Sequence, residues 1–490
     1  MKTRLQIMAL SLVTLSLFSC EKWLDVKPKQ QIEADVLFNR EEGFKDALAA
    51  IYINMASLQM YGCDMTFGFV DVIGGVYPYT GAYTSSSRYY YPSRWVYDEL
   101  GGEVDYRTLH QDGVWQKSYN TIANINNLID NIRKADRNMF AADNYNVLLG
   151  EALALRAFIH FDLLRLFAPS YKVNPNATGI PYITKYEYNT TPQYTVSAVL
   201  DSVMRDAGDA LALLKESDPI YTKREITSIV DDGYLSDRPY RMNYYATTAL
   251  MSRIHLYRNE LSDAARCAQE VIDAQIVRWI PFGDISNASL QNNDRTFSTE
   301  QIFVLDVVRL EDYIGRLRLV GNPVNTQLLF TVAYLNTLFP DGDDWRKRFL
   351  FMDEGNPGTP MTCIKLGIVG SPPANYRNRV PIIRLPEMYL TLAEAVLETN
   401  PSRSIALINE LMLNRGIAAG IAPDASVEAI REAILLEYRR EFICEGQIFY
   451  YHKRLDLPSI IGGGDASLFD KSKYVVPMPM EEIEYGQRKN

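Results

Sequence analysis

Histidine is scarce in this 490-residue chain: there are four, none in an H-x-x-x-H or H-E-x-x-H arrangement. That leaves no helical histidine pair from which a zinc site could be built, and no metal is expected. Cysteine is sparse too. Five are scattered along the chain, and no two stand in C-x-x-C spacing, which removes the thiolate clusters of zinc ribbons and the dithiol motif of redox enzymes. Positive charge is not in excess: 50 Lys and Arg face 60 Asp and Glu, for a formal net charge of −10. Such a chain has no electrostatic reason to seek a phosphate backbone, so nucleic acid is not an expected partner. No G-x-S-x-G nucleophile elbow occurs. Past the amino terminus, no apolar run reaches the roughly 20 residues that a membrane span needs.

The amino terminus carries its own signal. Lys2 and Arg4 are followed by uncharged residues from Leu5 to Phe18, then by Ser19 and Cys20. A basic start and a short apolar stretch are the parts of an export signal. Leu17-Phe18-Ser19-Cys20 has the pattern of a bacterial lipobox, in which the cysteine becomes a lipidated amino terminus. Residues 1–19 are therefore expected to be cut away, Cys20 to carry the lipid, and residues 20–40 to act as a tether. One acyl chain anchors only marginally, whereas several make attachment effectively permanent. Disulfides are open to an exported chain, but one this long buries a core without staples, so Cys63, Cys267, Cys363 and Cys444 are expected as buried thiols.

The body of the chain reads as helical. Between Tyr145 and Tyr171 one apolar stripe runs Leu148, Ala152, Leu155, Ile159, Leu163, Leu166, and a second runs Leu149, Leu153, Ala157, Phe161, Leu164, Ala168. Two stripes predict a helix covered on two sides, central in a bundle. Another helix is predicted from Val114 to Ile132. Later segments read as hairpins: one around Asn259-Glu260, with small residues Ser252, Ala264 and Ala268 at the approach, and one from Leu385 to Arg415 broken at Asn400-Pro401. A helix from Val427 to Gly446 follows. Closely packed antiparallel pairs with small residues at the contact suggest a tetratricopeptide-like scaffold. Residues 61–110 and 275–380 break the pattern and read as loop-rich insertions; within the second, Gln301 to Val308 reads as a strand. Residues 41–490 are read as one domain: mainly α, with large irregular insertions and a few short strands.

Four stretches, in this order and spacing, resemble the SusD/RagB family of Bacteroidetes surface lipoproteins. They are Cys20-Glu-Lys-Trp-Leu-Asp-Val-Lys-Pro28; Gly150-Glu-Ala-Leu-Ala-Leu-Arg-Ala-Phe158 continuing through Phe161-Asp-Leu-Leu-Arg-Leu166; Ile383-Arg-Leu-Pro-Glu-Met-Tyr-Leu390 with Ala393-Glu-Ala395; and Arg440-Glu-Phe442, Glu445-Gly-Gln447 and Lys453-Arg454 with a closing strand and turn at Tyr474-Val-Val-Pro-Met-Pro479. Ile448 and Tyr451 depart from the family pattern, where Arg and Asp are common. The resemblance implies a non-enzymatic protein on the outer face of the outer membrane. It would bind oligosaccharide, or peptide in the RagB branch, over a SusC-like TonB-dependent transporter. Glu21 and Asp25 after the anchor suit export to that surface. No cofactor is implied.

Sugar capture calls for flat aromatic platforms beside a few polar partners. The chain has 32 tyrosines, and the stretch from Tyr77 to Tyr97 offers Tyr79, Tyr83, Tyr89, Tyr90, Tyr91 and Trp95, with Arg88 and Arg94. Trp95, Tyr83 and Tyr90 are the foremost candidates. Asp312, Tyr313, Arg316 and Arg318 of the second insertion are candidates for the same groove. The competing reading uses the same rings as packing between insertion and helices, or at a transporter interface. Trp279 is expected in the core, and Trp345, Arg346 and Arg348 in a structural turn. Glu151, Arg156, Arg439, Arg440, Glu441 and Glu445 are expected in buried or interhelical pairs. A lipid-anchored glycosidase is the alternative from another class, but no carboxylate pair is marked for that chemistry.

Overall fold

The computed structural model describes residues 36–78, 88–97, 112–187, 189–226, 233–318, 328–353, 360–367, 373, 376–462, 466–486 and 488, with only the backbone at 316–318. Cys20 and its flanks lie outside this set. The longer helices are α1 (Glu41–Met55), α2 (Gly113–Lys134), α3 (Asn144–Phe167), α4 (Val196–Ser217), α5 (Tyr244–Tyr257), α6 (Leu261–Asp273), α7 (Leu310–Arg318), α8 (Leu385–Val396), α9 (Pro401–Leu413), α10 (Val427–Glu441) and α11 (Ile448–Leu455). They pack in succession: α2 on α3, α3 on α4, α4 on α5, α5 on α6, α6 on α8, and α8 on α9 and α10. Each hairpin thus buries its apolar face against the next, as a solenoid does.

The small residues act as expected. Ala264 and Ala268 are buried, and the Ser252 hydroxyl donates to the Ala264 carbonyl at 2.8 Å, joining α5 to α6. Asn259 turns the hairpin with φ of 61°. Pro401 opens α9 in its first turn, and Asn400 caps it. The helix expected to reach Gly446 stops at Glu441. Cys444 and Gly446 both adopt positive φ, and at Gly446 a Cβ would stand 2.3 Å from the Met65 carbonyl oxygen. Only glycine allows that backbone approach.

Helix α3 is more enclosed than its two stripes imply, since every residue except Asn146 is buried. Its polar side chains are therefore all committed. Glu151 accepts from Tyr52 at 2.8 Å and pairs with Arg238. Arg156 forms a two-pronged pair with Asp206 and donates to Asn126. His160 Nδ1 donates to the Arg156 carbonyl while Nε2 accepts the Ile183 N–H. That pattern needs the neutral ring, and burial pushes its pKa down to about 3. His452 on α11 is also driven to about 3, by burial and then by Arg439, and neither ring nitrogen has a hydrogen-bond partner among the described residues.

Among the described residues, seven short strands accompany the helices. β1 (Thr178–Pro181) pairs with β2 (Gln193–Thr195), and β3 (Gln301–Asp306) pairs antiparallel with β7 (Arg379–Arg384). β4 (Leu329–Phe330), β5 (Phe351–Asp353) and β6 (Met361–Cys363) form a small sheet with β6 in the middle. No strand forms at Tyr474–Pro479, contrary to expectation. Pro477 and Pro479 lack the N–H a ladder needs, and the segment runs extended, with the Val476 N–H bonded to the Leu166 carbonyl.

Strand β7 feeds α8 and delivers Arg384 into a buried ionic cluster. Five cations (Arg346, Lys365, Arg384, Arg415, Arg440) meet five carboxylates (Glu300, Asp344, Glu437, Glu441, Glu445). Glu441 is bound by Arg346, Arg384 and Arg415 together. Burial alone would raise its carboxyl, but Arg415, Arg346 and Arg384 outweigh that and hold it well below the usual carboxylate range.

The two histidines set an acid limit on stability. Each is neutral when folded down to about pH 3 and takes a proton near 6.5 when unfolded. Their contribution is complete above pH 6.5 and is lost as pH falls from there towards 3. His452→Leu removes one such group without breaking a hydrogen bond. Urea unfolding between pH 6.5 and 5 should show its stability slope reduced by about 1.4 kcal/mol per pH unit relative to the parent.

Candidate binding face at the junction of the insertions

The two insertions meet at Tyr77. Its hydroxyl donates to the Phe67 carbonyl at 2.7 Å and lies 3.6 Å from the Cys444 sulfur; its ring meets Phe330 of β4 edge-on at 5.4 Å. Around it Phe67, Ile314 of α7, Leu328, Cys363 and Leu366 line an apolar slot of about 30 Å³. Cys63, Cys267, Cys363 and Cys444 are buried thiols, as expected.

The segment from Arg88 to Tyr97 is pinned beside this slot by its largest rings. Tyr89 is fully buried, and its hydroxyl donates to Asp64 Oδ1 at 3.0 Å, while Arg88 Nη2 donates to Asp64 Oδ2 at 2.8 Å. Burial opposes the Arg88 charge, but Asp64, with Tyr89 and Cys63, more than offsets it, so the guanidinium is held above its ordinary range. Burial, reinforced by Asp64, likewise raises the Tyr89 hydroxyl. Trp95 is also fully buried. Its indole N–H donates to the Ile73 carbonyl at 2.8 Å, and its ring meets Phe469 at 5.1 Å. It holds φ of 53°, a left-handed backbone that costs energy for a non-glycine residue and persists only where packing enforces it. Tyr97 donates to the Lys473 carbonyl at 3.0 Å.

These positions revise the reading from sequence. Tyr89 and Trp95, candidates for ring platforms, present no free face, because each ring fills the core and each polar atom is satisfied inside. Arg88 is committed to Asp64. Tyr90, Tyr91 and Arg94 are half-buried, as are Arg88 and Val96. The Arg94 guanidinium stacks on Tyr90 at 4.0 Å and donates to the Tyr90 carbonyl at 3.1 Å, and Tyr91 meets Tyr90 edge-on at 5.1 Å. Tyr313 is buried, with Arg309 over its ring at 5.6 Å; Asp312 pairs with Arg309 on the solvent side of α7. Tyr79, Tyr83 and the side chains of Arg316 and Arg318 lie outside the described residues. Ile314, Leu366 and Asp64 were not anticipated. Each is an ordinary residue locally, and only the meeting of distant segments gives it a place here.

Trp279 packs partly buried on Tyr389 at 4.8 Å. Asp344 caps the Trp345–Phe349 helix and chelates Arg346, so that turn is structural. Ile448 and Tyr451, the departures from the family pattern, are buried, and Tyr451 stacks on Tyr438 at 4.0 Å. Among the described residues, no cluster of His, Cys, Asp or Glu is placed to hold a metal.

The scaffold is helical, its loops carry the half-buried Tyr90, Tyr91 and Arg94, and Asp64 beneath them is bound by Arg88 and Tyr89. Two family models match the chain: a SusD-like model described as starch-binding associating with outer membrane, over residues 22–256, and the SusD family over residues 370–482. The chain belongs to the SusD/RagB family. Solved structures share its fold. A SusD superfamily protein from Bacteroides thetaiotaomicron is 22% identical with a TM-score of 0.70, covering 91% of this chain and 98% of that one. A SusD superfamily protein from Bacteroides vulgatus is 19% identical with a TM-score of 0.69, covering 92% and 98%. A SusD-like carbohydrate binding protein from Bacteroides vulgatus is 18% identical with a TM-score of 0.62, covering 85% and 83%. No curated protein matches the chain. Among the described residues, no helix is long and apolar enough to cross a membrane.

The division between struts and exposed rings is testable by unfolding. Trp95→Ala should cost about 3–5 kcal/mol, the range for emptying a large aromatic site. Tyr90→Ala should cost about 1 kcal/mol, since this ring is only half-buried and carries the Arg94 stack. Equal losses in urea titrations would contradict the assignment.

Proposed function

We propose that this protein is a lipid-anchored surface binder that captures oligosaccharide and passes it, without chemical change, to a SusC-like TonB-dependent transporter. The carrying observation is the Tyr90–Arg94 stack at 4.0 Å on a segment whose Tyr89, Trp95 and Tyr97 are buried as struts. A ring offers its face to sugar C–H groups, and a guanidinium offers donors to hydroxyls. Tyr79, Tyr83 and Arg316, adjacent in sequence to these elements, are proposed to extend the same face. The family models support the reading, as does the carbohydrate binding protein that shares the fold.

Each ring platform contributes about 0.5–1.5 kcal/mol beyond area burial. A face of two or three such platforms binds modestly, which suits a protein that must release its cargo. Attachment is assigned to Cys20, with residues 20–40 as the tether.

Affinity electrophoresis in gels containing starch, xylan, galactomannan or laminarin, followed by calorimetry, tests the cargo. At least one neutral glycan should retard the protein, and Tyr90→Ala or Arg94→Ala should weaken that binding about twofold to tenfold. Binding of casein-derived peptides with no glycan bound would overturn the carbohydrate reading in favour of peptide cargo. Labelled palmitate should enter the parent chain but not Cys20→Ser.

A further inference from the structure

A second cleft, sharing no lining residue with the first, opens between the carboxyl end of α1, the 233–241 segment and the end of β3. Its volume is about 480 Å³, within the roughly 300–1,000 Å³ of small-molecule sites. Arg241 stands over two tyrosine rings there, 5.1 Å from the Tyr52 centroid and 5.0 Å from that of Tyr234. Tyr52 is locked from behind. Its hydroxyl donates to Glu151 and accepts the Met242 N–H, both at 2.8 Å. Arg241 itself is half-buried, and its guanidinium has no hydrogen bond or ion pair with any described residue. It is a planar set of donors, oriented by stacking, with no acceptor among the described residues.

The surroundings select the ligand. Asp237 and Asp306 line the cleft, and Arg379 lies beside Asp306 and over the Tyr240 ring at 5.0 Å. Two guanidiniums and two carboxylates cancel. An anionic ligand would meet both aspartates, and a cationic one would meet Arg241. A hydroxyl is different, because it both donates and accepts, and so can use the arginine and the aspartates together. Ile53 and Val308, 71% and 76% exposed, come from different elements and leave apolar surface at the rim beside Tyr240.

We infer that this cleft is a second saccharide subsite, which takes a neutral sugar unit with Arg241 donating to its oxygens. Asp237 and Asp306 accept from its hydroxyls, and its C–H face rests on Tyr240 and the rim. The inference rests on the carbohydrate reading above and adds a place that reading does not require. A long glycan held at two separated points gains from effective concentration without any new strong contact.

Methyl NMR on protein labelled at Ile, Leu and Val tests it, with the methyls of Ile53 and Val308 reporting this cleft and those of Ile314 and Leu366 reporting the insertion junction. The probes are maltoheptaose, xylohexaose, mannohexaose and laminarihexaose, with tetragalacturonate and trialanine as charged and peptide controls. A neutral oligosaccharide should shift Ile53 and Val308, and Arg241→Ala should weaken that response at least tenfold. Shifts at Ile314 and Leu366 alone overturn the second subsite and leave the cargo reading standing. Response of Ile53 and Val308 to tetragalacturonate or trialanine only overturns the neutral-sugar assignment. Silence at both sites towards every sugar removes both readings.

Discussion

Glu441 is the point on which the rest of this structure turns. Its carboxylate is buried and faces three arginines, which come from the second insertion (Arg346), from the strand that leads back to the scaffold (Arg384), and from the end of α9 (Arg415). Glu300 ties Arg384 and Arg415 again, and Glu445 receives Arg384 and Lys365. Removing one partner from such a cluster leaves uncompensated buried charge, at a typical cost of about 3–5 kcal/mol. An apolar replacement of the whole cluster could be as stable. What charge supplies is geometric: paired guanidiniums and carboxylates accept one arrangement, so an irregular insertion is held in one position on a helical frame.

That fixed position has functional consequences. The slot around Tyr77 has walls from both insertions, and the turn at Cys444 to Gly446, which directly follows the Glu441 helix, supplies another wall and the N–H that binds Asp71. Beside it, the 88–97 segment is held by buried Tyr89 and Trp95, so that Tyr90 and Arg94 are offered to solvent at a set height. In the proposed capture role, binding would then cost little ordering, and modest ring contacts would suffice. Within the scaffold, Glu151 is bound by Tyr52 and Arg238, Asp206 by Arg156, and Asp162 by Tyr61 and Arg165.

Much of the scaffold was legible because it is written locally. The two stripes of α3 announced a central helix, and the Ser252, Ala264 and Ala268 spacing announced a close hairpin. Glu151 and Arg156, five apart on one helix, had to find partners elsewhere, and they do so in Arg238 and Asp206. The ionic cluster was only half legible. Glu441 and Glu445 read as interhelical ions, but Arg346 and Glu300 stand 95 residues from Glu441 and 115 from Arg415 respectively, and no periodicity links such positions. The tyrosine-rich stretch was legible as a feature and opaque in detail. Composition says that rings abound; it cannot say that Tyr89 turns inward to Asp64 while its neighbour Tyr90 turns outward under Arg94. The missing carboxy-terminal strand was a misreading of visible letters, since Pro477 and Pro479 already forbade a ladder.

The central claim is that the insertion is bolted to the frame through buried charge, so that the proposed binding face is rigid without a ligand. Hydrogen exchange read by mass spectrometry tests this on the unmodified protein. Peptides spanning 343–350, 379–387 and 442–448, although they include strands and turns rather than long helices, should exchange as slowly as those of α3, through global unfolding alone. Exchange of these three at the rate of exposed loops, with α3 still protected, would show the insertion opening independently and would contradict the account.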